Sequence, residues 1–379
     1  MVNMETVTEN ISTILMTTGN DSKIQQPLPI EAVVLVSSVW SLIIVTGAIG
    51  NGLVLYILFR FGERSVTNVY VINLAIADLM FIIFVVPATL IHIVIPTWIL
   101  GDAVCKLSTY MIYVPLHATC LTLSAMTIDR YHAIVNPIRS MNWRSAKVSS
   151  FISLGVWAVS ISISLPFFLF QTVVERPGNE GILDCVPKWP GPEWIKTTTL
   201  AVVMTTFFIP MTAITICYGC ILQHLWKGNK MKRAKPENEA ALPIKNDKQE
   251  RQLRRKKRVT RMVAIVVFLF ALCWFPIHLI ALWIQFDPNF PRTDAMHYFK
   301  LFGHTLSYAN SCVNPFVYAF VNEGFKQAII KRSPLITKLC QCVLEEKPTK
   351  NNTNMIDKSV GTRPNIEGQT ELHTVQNNV

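Results

Sequence analysis

Seven long apolar runs, nearly free of charge, limit what this chain can fold into. They fall at about 32–59, 67–95, 105–135, 148–170, 196–225, 260–286 and 298–321. Each exceeds the roughly 20 residues that a helix needs to cross bilayer hydrocarbon. A soluble core helix would keep a polar face, and these runs lack the stripe. Composition agrees: 51% of residues are hydrophobic and 16% charged, against about a quarter charged in soluble domains. Inside lipid every backbone donor needs an internal partner, so the expected fold is an all-α membrane bundle of seven helices.

An odd number of crossings puts the termini on opposite sides, and the basic residues give the orientation. Lys227, Lys230, Lys232, Arg233, Lys235, Lys245 and Lys248 lie between spans five and six, followed by Arg251, Arg254, Arg255, Lys256, Lys257 and Arg258; Arg139, Arg144 and Lys147 lie between spans three and four. These loops are expected in the cytoplasm, and the nearly charge-balanced segment 171–195 outside. The net charge of +11 therefore needs no nucleic-acid partner. Its roles are topology, contact with anionic inner-leaflet lipid, and a basic face toward an acidic cytosolic protein.

The resulting division is an extracellular N-terminus over 1–31, a membrane domain over 32–333 containing a basic third inner loop at 227–258, and a cytoplasmic tail over 334–379. The N-terminus has no cleavable-signal pattern, so span one is expected to direct insertion. Asn10 and Asn20 begin glycosylation sequons on the outer side, whereas the sequon at Asn351 lies in the tail and should stay unmodified. Of nine cysteines, five lie within spans as small apolar residues. Cys105 and Cys185 alone face an oxidising compartment and are expected to pair. Cys340 and Cys342 follow a short amphipathic stretch, 324–332, which reads as an interfacial eighth helix with palmitoylation beyond it.

Polar groups at membrane depth carry function by default. Asp78 in span two needs partners, and Thr119 and Ser124 in span three with Asn310, Ser311 and Asn314 in span seven are candidates. A carboxylate among hydroxyl and amide oxygens suits a hard cation such as sodium; a protonated Asp78 bonded to the asparagines is the alternative. Arg130 follows Asp129 and precedes Tyr131, so it can be held by its neighbour in one state and released in another. Pro276, above Trp274 in "CWFP", is expected to kink span six; Pro166 and Pro210 are expected to break spans four and five.

Gly50-Asn51, "NLAIADL", Cys105 with Cys185, Asp129-Arg130-Tyr131, Trp157, Tyr218, "CWFP" and Asn314-Pro315 with Tyr318 occur in this order across the seven spans. In this the chain resembles the rhodopsin-like G-protein-coupled receptors over about residues 33–333. The resemblance implies a polar network joining Asp78, Asn310, Asn314 and Pro315 that rearranges on activation, with Tyr318 swinging inward. It implies an extracellular ligand, a heterotrimeric G protein, and arrestin and receptor kinases acting on tail serines and threonines.

Amine receptors carry an acid where this chain has Ile112, and opsins a lysine where it has Tyr308. "PTWILGDAVCK", "HATCLTLSAMTIDRYHAIV", "CWFPIHLIALW" and "HTLSYANSCVNPFVYAFVNEGFKQA" are instead similar to the galanin, allatostatin-A and kisspeptin receptors. A peptide is then expected to meet Gln171, Trp189, His278, Trp283, His304 and Tyr308, where amphipathic and aromatic groups suit a half-wet cavity. One departure stands out. Where some members carry an acid at the base of span six that reaches the span-three arginine, this chain has Lys256, which implies appreciable basal activity. A transporter is the competing class, but no inverted repeat or matched pair of broken helices appears. No nucleophile elbow or His-x-x-x-His metal pair points to an enzyme, and no cofactor beyond the sodium ion is implied.

Overall fold

A computed structural model describes residues 29–321 except 180, 234–242 and 292, together with 325. The helices are α1 (Ile30–Phe61), α2 (Val66–Val94), α3 (Gly101–Val135), the short α4 (Pro137–Met141), α5 (Ala146–Leu169), α6 (Pro192–Val203), α7 (Ile209–Arg233), α8 (Pro243–Phe286) and α9 (Asp294–Val321). A π-helical turn, Met204–Phe208, joins α6 to α7 into span five. Among the described residues, six helical segments combine the length and apolarity needed to cross a membrane. The seventh crossing, α9, has the length at 28 residues but carries a polar inner face. Asn10, Asn20, Cys340, Cys342 and nearly all of the expected eighth helix lie outside the described residues.

The bundle is apolar on its outside and gathers its polar groups within an otherwise apolar interior. Leu42, Phe59 and Phe151 are exposed, while Asn51, Asn73, Asp78, Asp129, Arg130 and Asn314 are buried. The exposed apolar exterior departs from the soluble pattern, as a lipid solvent demands.

Two prolines show how the interior is satisfied. Proline lacks an N–H, so the carbonyl four residues earlier loses its helical donor. For Pro315 that carbonyl belongs to Ser311, and it accepts from Asn51 Nδ2 at 2.7 Å. For Pro210 it belongs to Thr206, and it accepts from the Cys120 thiol at 3.0 Å. Gly50 lets α1 come close enough for the first bond: a Cβ there would stand 3.1 Å from Pro315 Cγ.

The expected breaks at Pro166 and Pro210 do not occur. Helix α5 runs past Pro166 to Leu169, and span five remains helical by widening into the π turn just before Pro210. A wider turn absorbs the missing bond without ending the helix. Helix α8 likewise continues through Pro276. It also extends back to Pro243, turning the basic stretch before span six into a helical continuation of it.

At one end of the bundle, β1 (Gln171–Glu175) and β2 (Leu183–Pro187) pair antiparallel with Val173 opposite Cys185. Cys105 and Cys185 form a disulfide, as expected, with Cα atoms 5.6 Å apart. Further ties hold the hairpin to the bundle: Asp102 Oδ1 accepts from the Val173 N–H at 3.1 Å, and Trp98 N–H donates to Leu183 O at 2.7 Å. Within the hairpin, Arg176 grips Asp184 through two bonds of 2.8 and 2.7 Å. The carboxylate at Asp184 in turn raises the Arg176 pKa.

Candidate functional site

The ligand candidates surround the outer half of the bundle in unlike environments. Gln171 is buried, its Nε2 3.2 Å from Cys185 Sγ, so its amide is engaged with the disulfide. Trp189 packs on Phe170 and Phe167 with centroids 5.0 and 5.9 Å away. Trp283 stands higher, donating its indole N–H to Asp287 Oδ2 at 2.9 Å. That bond, with one from the Asn289 N–H, holds the Asp287 carboxyl below its ordinary range. His278, His304 and Tyr308 are buried more deeply.

These deeper residues belong to a run of aromatic contacts. His278 stacks on Trp274 at 5.8 Å and meets Phe207 of the π turn at 5.4 Å. Trp274 meets Phe81 edge-on at 5.9 Å; Phe81 lies 5.6 Å from Tyr308, which in turn contacts Trp40 and His304. A displacement of His278 reaches Trp274 directly, and one of Tyr308 reaches it through Phe81. Phe81 and Phe207, which link the run, are apolar residues inside apolar spans, and nothing in the sequence separates them from ordinary core.

Below Trp274 lies the polar network. Asp78 is buried, accepts from Asn314 Nδ2 at 2.9 Å, and has the Ser311 hydroxyl beside it. A cavity of about 10 Å³ adjoins it, with Thr119, Asn310 and Ser311 among its lining residues. That is space for about one water-sized sphere. A carboxylate with hydroxyl and amide oxygens around one such space is a donor set that fits a sodium ion. Two neighbours belong elsewhere: Ser124 bonds to its own helix at Cys120 O, and Asn73 is tied to Thr122 and to the Trp157 indole, both at 2.6 Å. The Trp274 indole nitrogen and the Tyr318 hydroxyl are buried with no hydrogen-bond partner among the described residues. Buried groups without partners are uncommon and mark places where a structure gains by rearranging.

At the end of the bundle opposite the hairpin Asp129 is shared. It accepts from Arg130, and also from Arg144 through Nε at 2.6 Å and a terminal nitrogen at 3.0 Å. Arg144 was legible only as loop charge, yet it completes the cluster. Tyr131 packs edge-on against His132 at the same end. From span five, Tyr218 donates its hydroxyl to Thr260 O at 3.2 Å. The Thr260 hydroxyl is used within its own helix, at Lys256 O, and does not reach Arg130. Lys256 lies within the field of both Arg144 and Arg130, the like-charge meeting that the sequence implies.

A seven-helix bundle with a lipid-facing exterior, a disulfide-tethered outer hairpin and a polar core connecting both ends defines a membrane protein built to relate its two faces. Residues 50–318 match the 7 transmembrane receptor (rhodopsin family), and the chain belongs to that family. It is similar to galanin receptor type 1 of Mus musculus, 33% identical over 332 residues spanning 86% of this chain and 88% of that protein. It is also similar to the KiSS-1 receptor of Rattus norvegicus, 33% identical over 320 residues covering 83% and 78% of the two, and to galanin receptor type 1 of Homo sapiens, 35% identical over 295 residues covering 76% and 79%.

Proposed function

We propose that this chain is a plasma-membrane receptor for an extracellular neuropeptide of the galanin, kisspeptin or allatostatin-A kind, with its N-terminus outside, and that it passes agonist binding to a heterotrimeric G protein. Relatives named for galanin and for KiSS-1 at near-equal identity support a peptide ligand. The observation that carries the reading is the single helix α8. It holds His278 and Trp274 in its outer half and Lys256, within the field of Arg144 and Arg130, at its inner end.

The peptide enters beneath the tethered hairpin and presses on the aromatic run. Its binding favours the conformation in which α8 pivots near Pro276, since a ligand shifts an equilibrium by its differential affinity. The inner end of α8 then moves away from Arg130, and a helical tail of the G protein enters the opened groove. When bound beside Asp78, a sodium ion supplies charge that holds the polar core in its resting arrangement; Asp78, Thr119, Asn310 and Ser311 would hold it. Arrestin and receptor kinases are expected to act on the tail.

The test is a panel of amidated galanin, kisspeptin and allatostatin-A peptides applied to cells expressing the chain, with calcium and cyclic AMP both recorded. A saturable response to at least one peptide, absent from untransfected cells, is expected. Silence across the panel together with substrate flux in proteoliposomes would replace the receptor reading with a transporter.

A further inference from the structure

A cavity wider than the one beside Asp78 lies at the cytoplasmic end, away from the proposed peptide mouth. It measures about 170 Å³ and sits between α2, α3 and α5 beside the turn that follows α4. Ala125, Ile128, Trp143, Val148 and Ile152 give it apolar walls, and the Asp129–Arg144 pair closes one end. Ile128, Trp143 and Ile152 are themselves exposed, so the cleft opens toward surrounding lipid. The receptor mechanism leaves it unused. An apolar cavity of about 150 Å³ holds a benzene-sized guest, so this one takes a short stretch of hydrocarbon chain.

We propose that the cleft binds an anionic phospholipid of the adjacent leaflet, with part of an acyl chain between α3 and α5 and the headgroup on Arg144. Charge complementarity selects this occupant. Arg144 lines the cleft, Arg139 and Lys147 stand close to it in sequence and are exposed, and Asp129, already engaged by two arginines, is the one acid among the lining residues. Ile138 and Met141 of α4 and Phe151 of α5 are 84%, 78% and 73% exposed, and the cleft itself sets apolar walls beside the Arg144 guanidinium, so an amphiphile meets hydrocarbon contact and positive charge at the same place. Arg144 commits Nε and one terminal nitrogen to Asp129; a guanidinium has five N–H donors, which leaves others for a phosphate. A headgroup drawing on Arg144 would also leave Asp129 more fully to Arg130, so lipid occupancy bears on the resting cluster.

Trp143 in the cleft wall supplies the readout. The full chain in phosphatidylcholine nanodiscs is titrated with phosphatidylserine brominated on its acyl chains, and in parallel with equally brominated phosphatidylcholine. Quenching at Trp143 is taken as the difference from a Trp143→Phe variant, since the chain has nine tryptophans. A saturable difference signal is expected for phosphatidylserine and not for phosphatidylcholine. Arg144→Gln is expected to weaken it about fivefold, the worth of one basic residue at an anionic surface, and Ala125→Phe, which fills the cleft, to abolish saturation. Val148→Phe fills the cleft from the opposite wall and replaces Ala125→Phe if that variant melts early. Indistinguishable curves for the two lipids would make this an ordinary annular contact and overturn the proposal, as would saturation that survives filling the cleft. The signal is read without agonist or G protein, so it stands or falls separately from the receptor function.

Discussion

Asn51 reaches across from α1 to donate to the Ser311 carbonyl at 2.7 Å, the carbonyl that Pro315 leaves without a helical donor. The two residues most out of place in a lipid-facing sequence, an asparagine and a proline, are therefore two halves of one solution. Removing either half alone changes the accounting of buried polar groups.

Asn51→Ala is expected to destabilise the detergent-solubilised protein by about 1–3 kcal/mol, the cost of leaving a buried carbonyl unsatisfied. In a Pro315→Ala background the helix regains its own donor, so the same substitution should cost much less. A thermal-melt double-mutant cycle measures the coupling. Additive losses would mean that Asn51 acts through packing instead.

Much of the scaffold was legible beforehand, and the reasons differ by element. Span boundaries followed from apolar runs because lipid permits few alternatives: α2 is Val66–Val94 where 67–95 was expected, and α5 is Ala146–Leu169 where 148–170 was expected. The Cys105–Cys185 pair followed from compartment. Cross-helix partners were less accessible, because they depend on how each helix is rotated and how closely it approaches its neighbour. That Asn51 meets the carbonyl freed by Pro315 required Gly50 to bring α1 within reach. The π turn was missed because a proline signals a lost bond without saying how the helix absorbs it. Arg144 was missed because a loop arginine reads first as topology, and only folding brings it to Asp129.

Asp78 offers a test of the cation reading. Sodium should depress basal nucleotide exchange on a co-reconstituted G protein, with potassium as the ionic-strength control. Asp78→Asn keeps the size of the side chain but removes the charge, and is expected to abolish the sodium effect. Equal sodium sensitivity in the variant would mean that Asp78 serves only as a hydrogen-bond partner of Asn314.

Trp283 and Asp287 give a pH prediction at the outer rim. The Trp283 indole N–H, and secondarily the Asn289 backbone N–H, lower the Asp287 pKa below its ordinary value. A carboxylate with a depressed folded pKa keeps its contact above the unfolded value and loses it as pH falls through the folded one. The emission of Trp283, isolated by difference from Trp283→Phe, should therefore be constant from about pH 8 down to about pH 5 and change only below about pH 4. Asp287→Ala should remove that acid transition. A change centred near neutrality would assign control of Trp283 to a different group.

Lys256 decides how firmly the inner end is held at rest. The cluster there comprises Arg130, Arg144 and Lys256 against one carboxylate, Asp129, with Arg130 only 7% exposed. An unbalanced positive cluster of this kind pushes α8 away from α3, the movement assigned above to activation, so basal exchange should exceed that of cells lacking the receptor. Lys256→Gln removes the repulsion and should lower it. Lys256→Glu adds an attraction worth about 1 kcal/mol for a partly exposed pair, which corresponds to roughly a fivefold fall in basal exchange. Agonist should still activate this variant, at higher concentration, because the binding surfaces near His278 and Tyr308 are untouched. Basal exchange that stays the same in both variants would show that charge at this position does not set the resting state, and that the hydrogen bond from Tyr218 to the Thr260 carbonyl or apolar packing sets it instead.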